Sequence, residues 1–216
     1  KKFFLLFFAK KYPENKLPEL KKDFLENQEI NSPVVIECTG HEDFFEELIG
    51  YRSLIRNKLL SIITDNNIEN IKNHQLNDGI VVHIRMGDFQ SVPSDLSKIK
   101  PFQNYRLPIA WYISMIDKIR EHAGIETPVY IFSDGKASQL SEILCKENIF
   151  RIETGNSISD MISLSSGAIL IGSGSTFSMW ASFLGGMPSI WYPSLHPYKL
   201  LEDQNTYEGE INFNDQ

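Results

Sequence analysis

The chain has 216 residues, 42% of them hydrophobic and 12% aromatic, enough to close a sizeable core and consistent with one to two domains. A net charge of -7 and a pI near 5.3 lack the basic footprint that nucleic acid or an anionic membrane surface demands, so any phosphate must be held by a few local groups. The two cysteines, Cys38 and Cys145, show neither metal-ligand spacing nor a paired framework, and no Asn-x-Ser/Thr sequon occurs; both absences fit a reducing, cytoplasmic setting.

The opening run Phe3 to Ala9 is seven apolar residues between lysine pairs, too short for a hydrocarbon core that needs about twenty. It also lacks the small-residue cleavage site of a signal peptide. It reads as a buried strand or short helix, with a peripheral anchor on a membrane surface as the alternative. Residues 12–33 are polar and carry Pro13, Pro18 and Pro33, which predicts a loop around a short helix from Pro18 to Asn27. Val34 to Cys38 predicts a strand. Across residues 42–60, Phe45, Leu48, Ile49, Leu54, Ile55 and Leu59 recur at helical spacing, with a break at Gly50. Residues 62–75 predict a short helix and a linker. His41 is a lone histidine, a residue more often structural than functional, and is left out of the site. No internal repeat is present.

The chain is organised around Gly79-Ile80-Val81-Val82-His83-Ile84-Arg85-Met86-Gly87-Asp88-Phe89. An apolar, β-branched run passes straight into His, Arg and Asp at a glycine turn, the pattern of a buried strand that delivers polar groups to a sheet edge. Open α/β sheets bind ligands at such strand ends. A guanidinium there offers a planar fork of donors to phosphate, and Gly87 lets the backbone turn beside it. The competing reading is an Arg85 that merely pairs with Asp88.

From Gly79 onward strands and helices alternate, the signature of a parallel sheet wrapped by helices. Leu107 to His122 is amphipathic, with Ile109, Tyr112, Ile113, Ile116 and Ile119 on its buried face. Val129 to Phe132 is a strand ending in Ser133-Asp134-Gly135. Asp134 can accept hydrogen bonds from ribose hydroxyls or the guanine edge, or it can cap a helix over residues 136–146. A short strand over Phe150 to Ile152, a helix over Asp160 to Ser166, a strand over Ala168 to Ile171 and a helix over Thr176 to Leu184 follow. The turn Gly172-Ser173-Gly174-Ser175 is the second chemical centre: small residues, hydroxyls and a helix N-terminus converge there as an anion site. Phe177 and Trp180 read as core from their helical position. Ser189 to Pro193 closes the sheet, and the acidic tail from Glu202 is a loosely held terminus. His196 has no partner that the sequence names.

His83-Ile84-Arg85-Met86-Gly87-Asp88 resembles the His-x-Arg-Arg-Gly-Asp motif of the α-1,2-fucosyltransferase family and related enzymes that use GDP-fucose. Leu107-Pro108-Ile109-Ala110-Trp111-Tyr112, Ile131-Phe132-Ser133-Asp134 and Ser173-Gly174-Ser175-Thr176-Phe177-Ser178-Met179-Trp180 are similar to three further family segments, in the same order. The likeness runs from Val34 to Pro193. It implies the carboxyl half of a GT-B glycosyltransferase: residues 1–78 on the acceptor side, a Rossmann-like nucleotide-sugar domain over 79–193, and a tail over 194–216. Two departures stand out. Met86 stands where the family has its second arginine, so Arg85 carries more of the phosphate; the protein O-fucosyltransferases also manage with a single arginine there. The Gly-rich segment with which the family begins has no counterpart before Val34, which implies a fragment or a reduced acceptor-binding part.

The resemblance implies an inverting fucosyltransferase that takes GDP-fucose as donor and needs no cofactor, with a galactose 2-hydroxyl of an oligosaccharide as acceptor. Arg85 and Asp88 are the catalytic candidates. His83, Arg85, Asp134, Ser173, Ser175, Thr176 and Phe177 are the substrate-binding ones. No Asp-x-Asp occurs, so no metal is expected on the pyrophosphate, and cationic groups must take its place. A non-catalytic GDP-sugar or glycan-binding module and a glycosyltransferase using another nucleotide sugar are the alternatives.

Overall fold

The structure is a computed structural model and describes residues 10–13, 34–37, 45–74, 76–87, 89–100, 103, 105–196 and 199–212. The apolar run at residues 3–9, the helix expected over Pro18 to Asn27, His41 and Asp88 lie outside these residues. Two compact units are present, Lys1–Phe44 and Phe45–Gln216. In the first, β1 (Lys10–Pro13) and β2 (Val34–Glu37) pair in parallel, with Lys10 opposite Val34.

The second unit begins with a 3-10 turn, Glu46–Tyr51, that passes directly into helix α1, Arg52–Ile62, so the expected helix changes character beside Gly50. Helix α2 spans Asp65–Asn73. The central strand β3, Ile80–Ile84, is buried along its whole length. After it come β4 (Gln90–Ser91) and β5 (Tyr105–Arg106), which pair with each other, and helix α3, Ile109–Ala123. Then follow β6 (Val129–Ser133), α4 (Ser141–Leu144), β7 (Ile149–Arg151), α5 (Ser157–Leu164), β8 (Ile169–Ile171), α6 (Thr176–Gly185), β9 (Ser189–Trp191) and β10 (Glu208–Glu210). None of the helices among the described residues is long and apolar enough to cross a membrane.

Six strands form one all-parallel sheet in the order β10-β9-β8-β3-β6-β7. The chain therefore leaves β3 in one direction toward β6 and β7, then returns to the other side of β3 through β8. The crevice at such a reversal, outside the carboxyl ends of the strands, is where open α/β sheets take ligands. Alternation along β3 serves both layers. Ile80, Val82 and Ile84 join Trp111, Met115 and Ile116 of α3 in the main core, each buried aliphatic contributing about 1.5–3 kcal/mol. Val81 and His83 face the opposite layer, where Val81 packs against Gly167 and His83 meets Ser178 of α6. Arg52 and Arg56 of α1 close that layer by donating to the carbonyls of Gly185 and Leu184 at the end of α6, where cations suit the helix dipole.

Four expectations need correction. The helix expected over 136–146 is a 3-10 turn, Ala137–Gln139, followed by the single turn of α4. The strand expected over 150–152 runs one residue earlier, because the register sets Val129 opposite Ile149. Helix α5 begins at Ser157 instead of Asp160: the Asn156 side chain accepts from the Ser159 N–H at 2.9 Å and starts the helix one turn sooner. The tail is also held. Its β10 extends the sheet beside β9, the Trp111 indole donates to the Ile211 carbonyl, and Leu200 and Leu201 are buried.

Candidate functional site

The register between β3 and β6 sets Ile84 opposite Ser133, and the next residues on the two strands, Arg85 and Asp134, therefore emerge side by side. Arg85 Nη1 lies 2.7 Å from Asp134 Oδ2. The same carboxylate accepts the backbone N–H of Met86 at 2.7 Å and that of Gly87 at 3.1 Å. A β-carbon on Gly87 would lie 2.6 Å from Asp134 Oδ2, which is why that position is glycine. Asp134 thus caps no helix in the sense expected of it; it fastens the turn after β3 and aims Arg85. The Phe89 ring covers the guanidinium, with Arg85 Cζ 5.0 Å from the ring centroid. Met86 is buried in the main core, so the side chain at the second motif position points away from the strand-end crevice.

Across the chain reversal, β8 runs into Gly172-Ser173-Gly174-Ser175 and then α6. Gly174 has φ +71, a left-handed conformation that favours glycine. The turn is tied to β3 through His83. His83 Nδ1 lies 2.7 Å from Ser178 Oγ, 3.0 Å from Ser173 Oγ and 3.4 Å from Ser175 Oγ, and the Ser173 N–H donates to Ser178 Oγ. The Phe177 ring leans on the imidazole at 4.8 Å. Burial pushes the His83 pKa down to about 4, partly offset by Asp134 and reinforced by Arg85. His83 is therefore neutral near pH 7 and works as a hydrogen-bonding anchor, leaving positive potential to Arg85 and to the N-terminus of α6. Ser175 is the N-cap, its hydroxyl accepting from the Ser178 N–H.

These elements wall a cleft of about 510 Å³ lined by His83, Arg85, Phe89, Phe132, Ser133, Asp134, Ser157, Asp160, Ser175, Thr176 and Phe177. It brings together six of the residues singled out from sequence: His83, Arg85, Asp134, Ser175, Thr176 and Phe177. Ser173 lies behind them as a buried support for His83. Trp180 packs with Phe45 and Phe183 instead. Sequence reasoning passed over Phe89, Phe132, Ser133, Ser157 and Asp160. Asp160 is anchored where it lines the cleft by the Thr154 N–H and hydroxyl, at 3.0 and 2.8 Å. The Asn156 cap was the signal that would have placed Ser157 and Asp160 at a helix start facing the strand ends.

A family model described as glycosyl transferase family 11 matches residues 34–214. The chain belongs to glycosyl transferase family 11. Two solved structures are similar to this family 11 chain. One is POFUT1 in complex with GDP, at 18% identity and a TM-score of 0.41 over 60% of this chain and 45% of that one. The other is NodZ alpha-1,6-fucosyltransferase co-crystallized with GDP, at 18% identity and a TM-score of 0.41 over 81% of this chain and 59% of that one. The chain thus spans about half the length of these structures, between 45% and 59%. No curated protein matches.

Proposed function

We propose that this family 11 chain binds GDP-β-L-fucose in the cleft at the β3/β8 reversal and transfers L-fucose, with inversion and without a metal, to a hydroxyl of an oligosaccharide. The galactose 2-hydroxyl is the acceptor that the resemblance implies. The observation that carries this reading is a guanidinium fixed in orientation by Asp134 and Phe89, beside the N-terminus of α6. Both groups favour a diphosphate, which carries one negative charge on each phosphate. Asp160, Ser133 and Ser157 supply the polar wall that a purine and ribose require, and a carboxylate suits the guanine edge because its N1–H and 2-amino group both donate.

In the transfer step the acceptor oxygen bonds to the anomeric carbon as the bond from that carbon to the β-phosphate oxygen breaks. The electron pair leaves on GDP, and the acceptor proton passes to a general base. Negative charge grows on the departing diphosphate, where Arg85 and the α6 amides stabilise it more than they stabilise the bound donor. Asp88 is proposed as the base, being the carboxylate that follows the Gly87 turn in sequence. A cytoplasmic setting, peripheral at the inner face of a membrane, belongs to the same proposal.

Titration calorimetry with GDP, UDP and ADP tests the reading: GDP is expected to bind best, and equal binding of all three removes the fucosyl assignment. GDP binding without hydrolysis or transfer across an acceptor panel makes the chain a binding module. Activity is expected to be unchanged in EDTA, because the sequence lacks Asp-x-Asp and the phosphate charge falls to Arg85 and a helix start; a strict Mn²⁺ or Mg²⁺ requirement would contradict this.

A further inference from the structure

The cleft has one apolar group that neither the strands nor the helices supply. Phe89 sits on the loop after β3, half-buried, with its ring against the Arg85 guanidinium. The other two aromatics on the wall are committed elsewhere: Phe132 is buried at 2% exposure and Phe177 leans on His83. Around them the lining is polar, from Ser133 and Asp134 through Ser157 and Asp160 to Ser175 and Thr176.

The site is read here, as in the proposed function, as holding a GDP-sugar with its β-phosphate on Arg85. The sugar is joined to that phosphate through the bridging ester oxygen, so the hexose ring begins a few bonds from the guanidinium and falls within reach of the Phe89 ring, whose centroid lies 5.0 Å from Cζ. We propose that Phe89 is a specificity-determining residue that receives the C6 methyl of a 6-deoxy sugar. A methyl group against the ring leaves water at no polar cost. A hydroxymethyl group in the same place gives up a hydrogen bond to water and gains no partner from a phenyl ring. Discrimination of this kind between near-isosteres is typically on the order of 10- to 100-fold. The cation-aromatic contact adds a second consequence, since the ring that reads the sugar also braces the group that holds the phosphate.

The decisive comparison uses GDP-β-L-fucose and GDP-β-L-galactose, which differ only in the hydroxyl at C6, with dissociation constants measured by calorimetry for the wild type, Phe89→Leu and Phe89→Ser. The wild type is expected to prefer the fucose donor about tenfold or more. Phe89→Leu keeps an apolar surface and should retain the preference, although it loses the aromatic contact with Arg85. Phe89→Ser should bring the two donors together, with GDP alone weakened to the same extent as in Phe89→Leu, because both variants lose the aromatic contact with Arg85. If both sugars weaken equally in Leu and Ser, Phe89 only positions Arg85 and the inference is overturned; an undiminished preference in Phe89→Ser overturns it too. A wild type that binds GDP tightly and does not distinguish the sugars refutes the role of Phe89 alone, whereas a wild type that does not bind GDP refutes the nucleotide reading beneath it.

Discussion

Asp134 holds three donors at once: the Arg85 guanidinium at 2.7 Å and the backbone amides of Met86 and Gly87 at 2.7 and 3.1 Å. A surface ion pair alone is worth little, about 1 kcal/mol or less. Two further hydrogen bonds to a charged acceptor change the balance, at about 1.5–3 kcal/mol each before solvent screening. Asp134→Ala is therefore expected to lower stability by about 1–3 kcal/mol and to weaken GDP binding by loosening Arg85. Asp134→Asn should fall between the two, because its carbonyl can still accept one amide. A folded Asp134→Ala protein with unchanged stability and unchanged GDP affinity would show that the turn holds itself.

The role of Arg85 separates from the stability of the fold. Its side chain is 36% exposed and that of Asp134 is 30% exposed, so removing the pair does not leave a charge stranded in a dry core. Arg85→Lys keeps a point charge and loses the fork, and Arg85→Ala loses both. Lys should retain part of the GDP affinity with a larger fall in transfer rate. Ala should cost on the order of 100-fold or more in rate, with a melting midpoint close to that of wild type. Thermal melts with and without GDP check this directly, since a ligand that binds only the native state raises the midpoint. A mutant that melts far lower yet gains the wild-type shift from GDP would make Arg85 structural.

What the sequence could and could not reveal follows from how each residue is held. β3 was legible because Ile80, Val81 and Val82 form an unbroken apolar run, and the polar residues His83 and Arg85 that follow marked the ligand end of the sheet. The partner of Arg85 was not legible, because the register that brings Asp134 to it joins residues nearly fifty positions apart. β10 was hidden for a different reason. Glu208-Gly209-Glu210 has poor strand propensity, and it pairs because both acids have tertiary work: Glu208 accepts the Leu200 and Leu201 amides, and Glu210 accepts that of His196. His196, unpartnered in sequence, is fixed by that bond and by the Trp191 ring.

Asp160 offers a test of which residue reads the base. Asp134 is occupied by the turn after β3, whereas Asp160 lines the cleft on a helix start, steadied by Thr154. Inosine diphosphate lacks the 2-amino group of GDP and so removes one donor. The wild type should prefer GDP to inosine diphosphate by about tenfold, the scale of a hydrogen bond to a charged group. Asp160→Asn should reduce that preference without altering the effect of Arg85→Lys. A preference that survives in Asp160→Asn would move base recognition to another wall of the cleft.

The buried imidazole of His83 makes stability depend on pH in a defined window. Unfolded, a histidine titrates near 6.5; folded, burial pushes His83 down to about 4. Between those values the unfolded chain binds a proton that the native chain refuses, so protonation favours unfolding. The stabilisation is fully present above about pH 6.5 and is lost as pH falls toward about 4, by at most about 3 kcal/mol in this range. His83→Asn should keep a polar link to Ser173 and Ser178 without titrating, and its stability should fall less steeply across the same interval even though its neutral-pH stability is lower. Urea denaturation of both proteins at several values between pH 4 and 7.5 gives the two slopes. Parallel slopes would mean that the imidazole already titrates normally in the native chain, and that Ser173, Ser175 and Ser178 do not hold it in the dry, neutral state on which the geometry of the anion site depends.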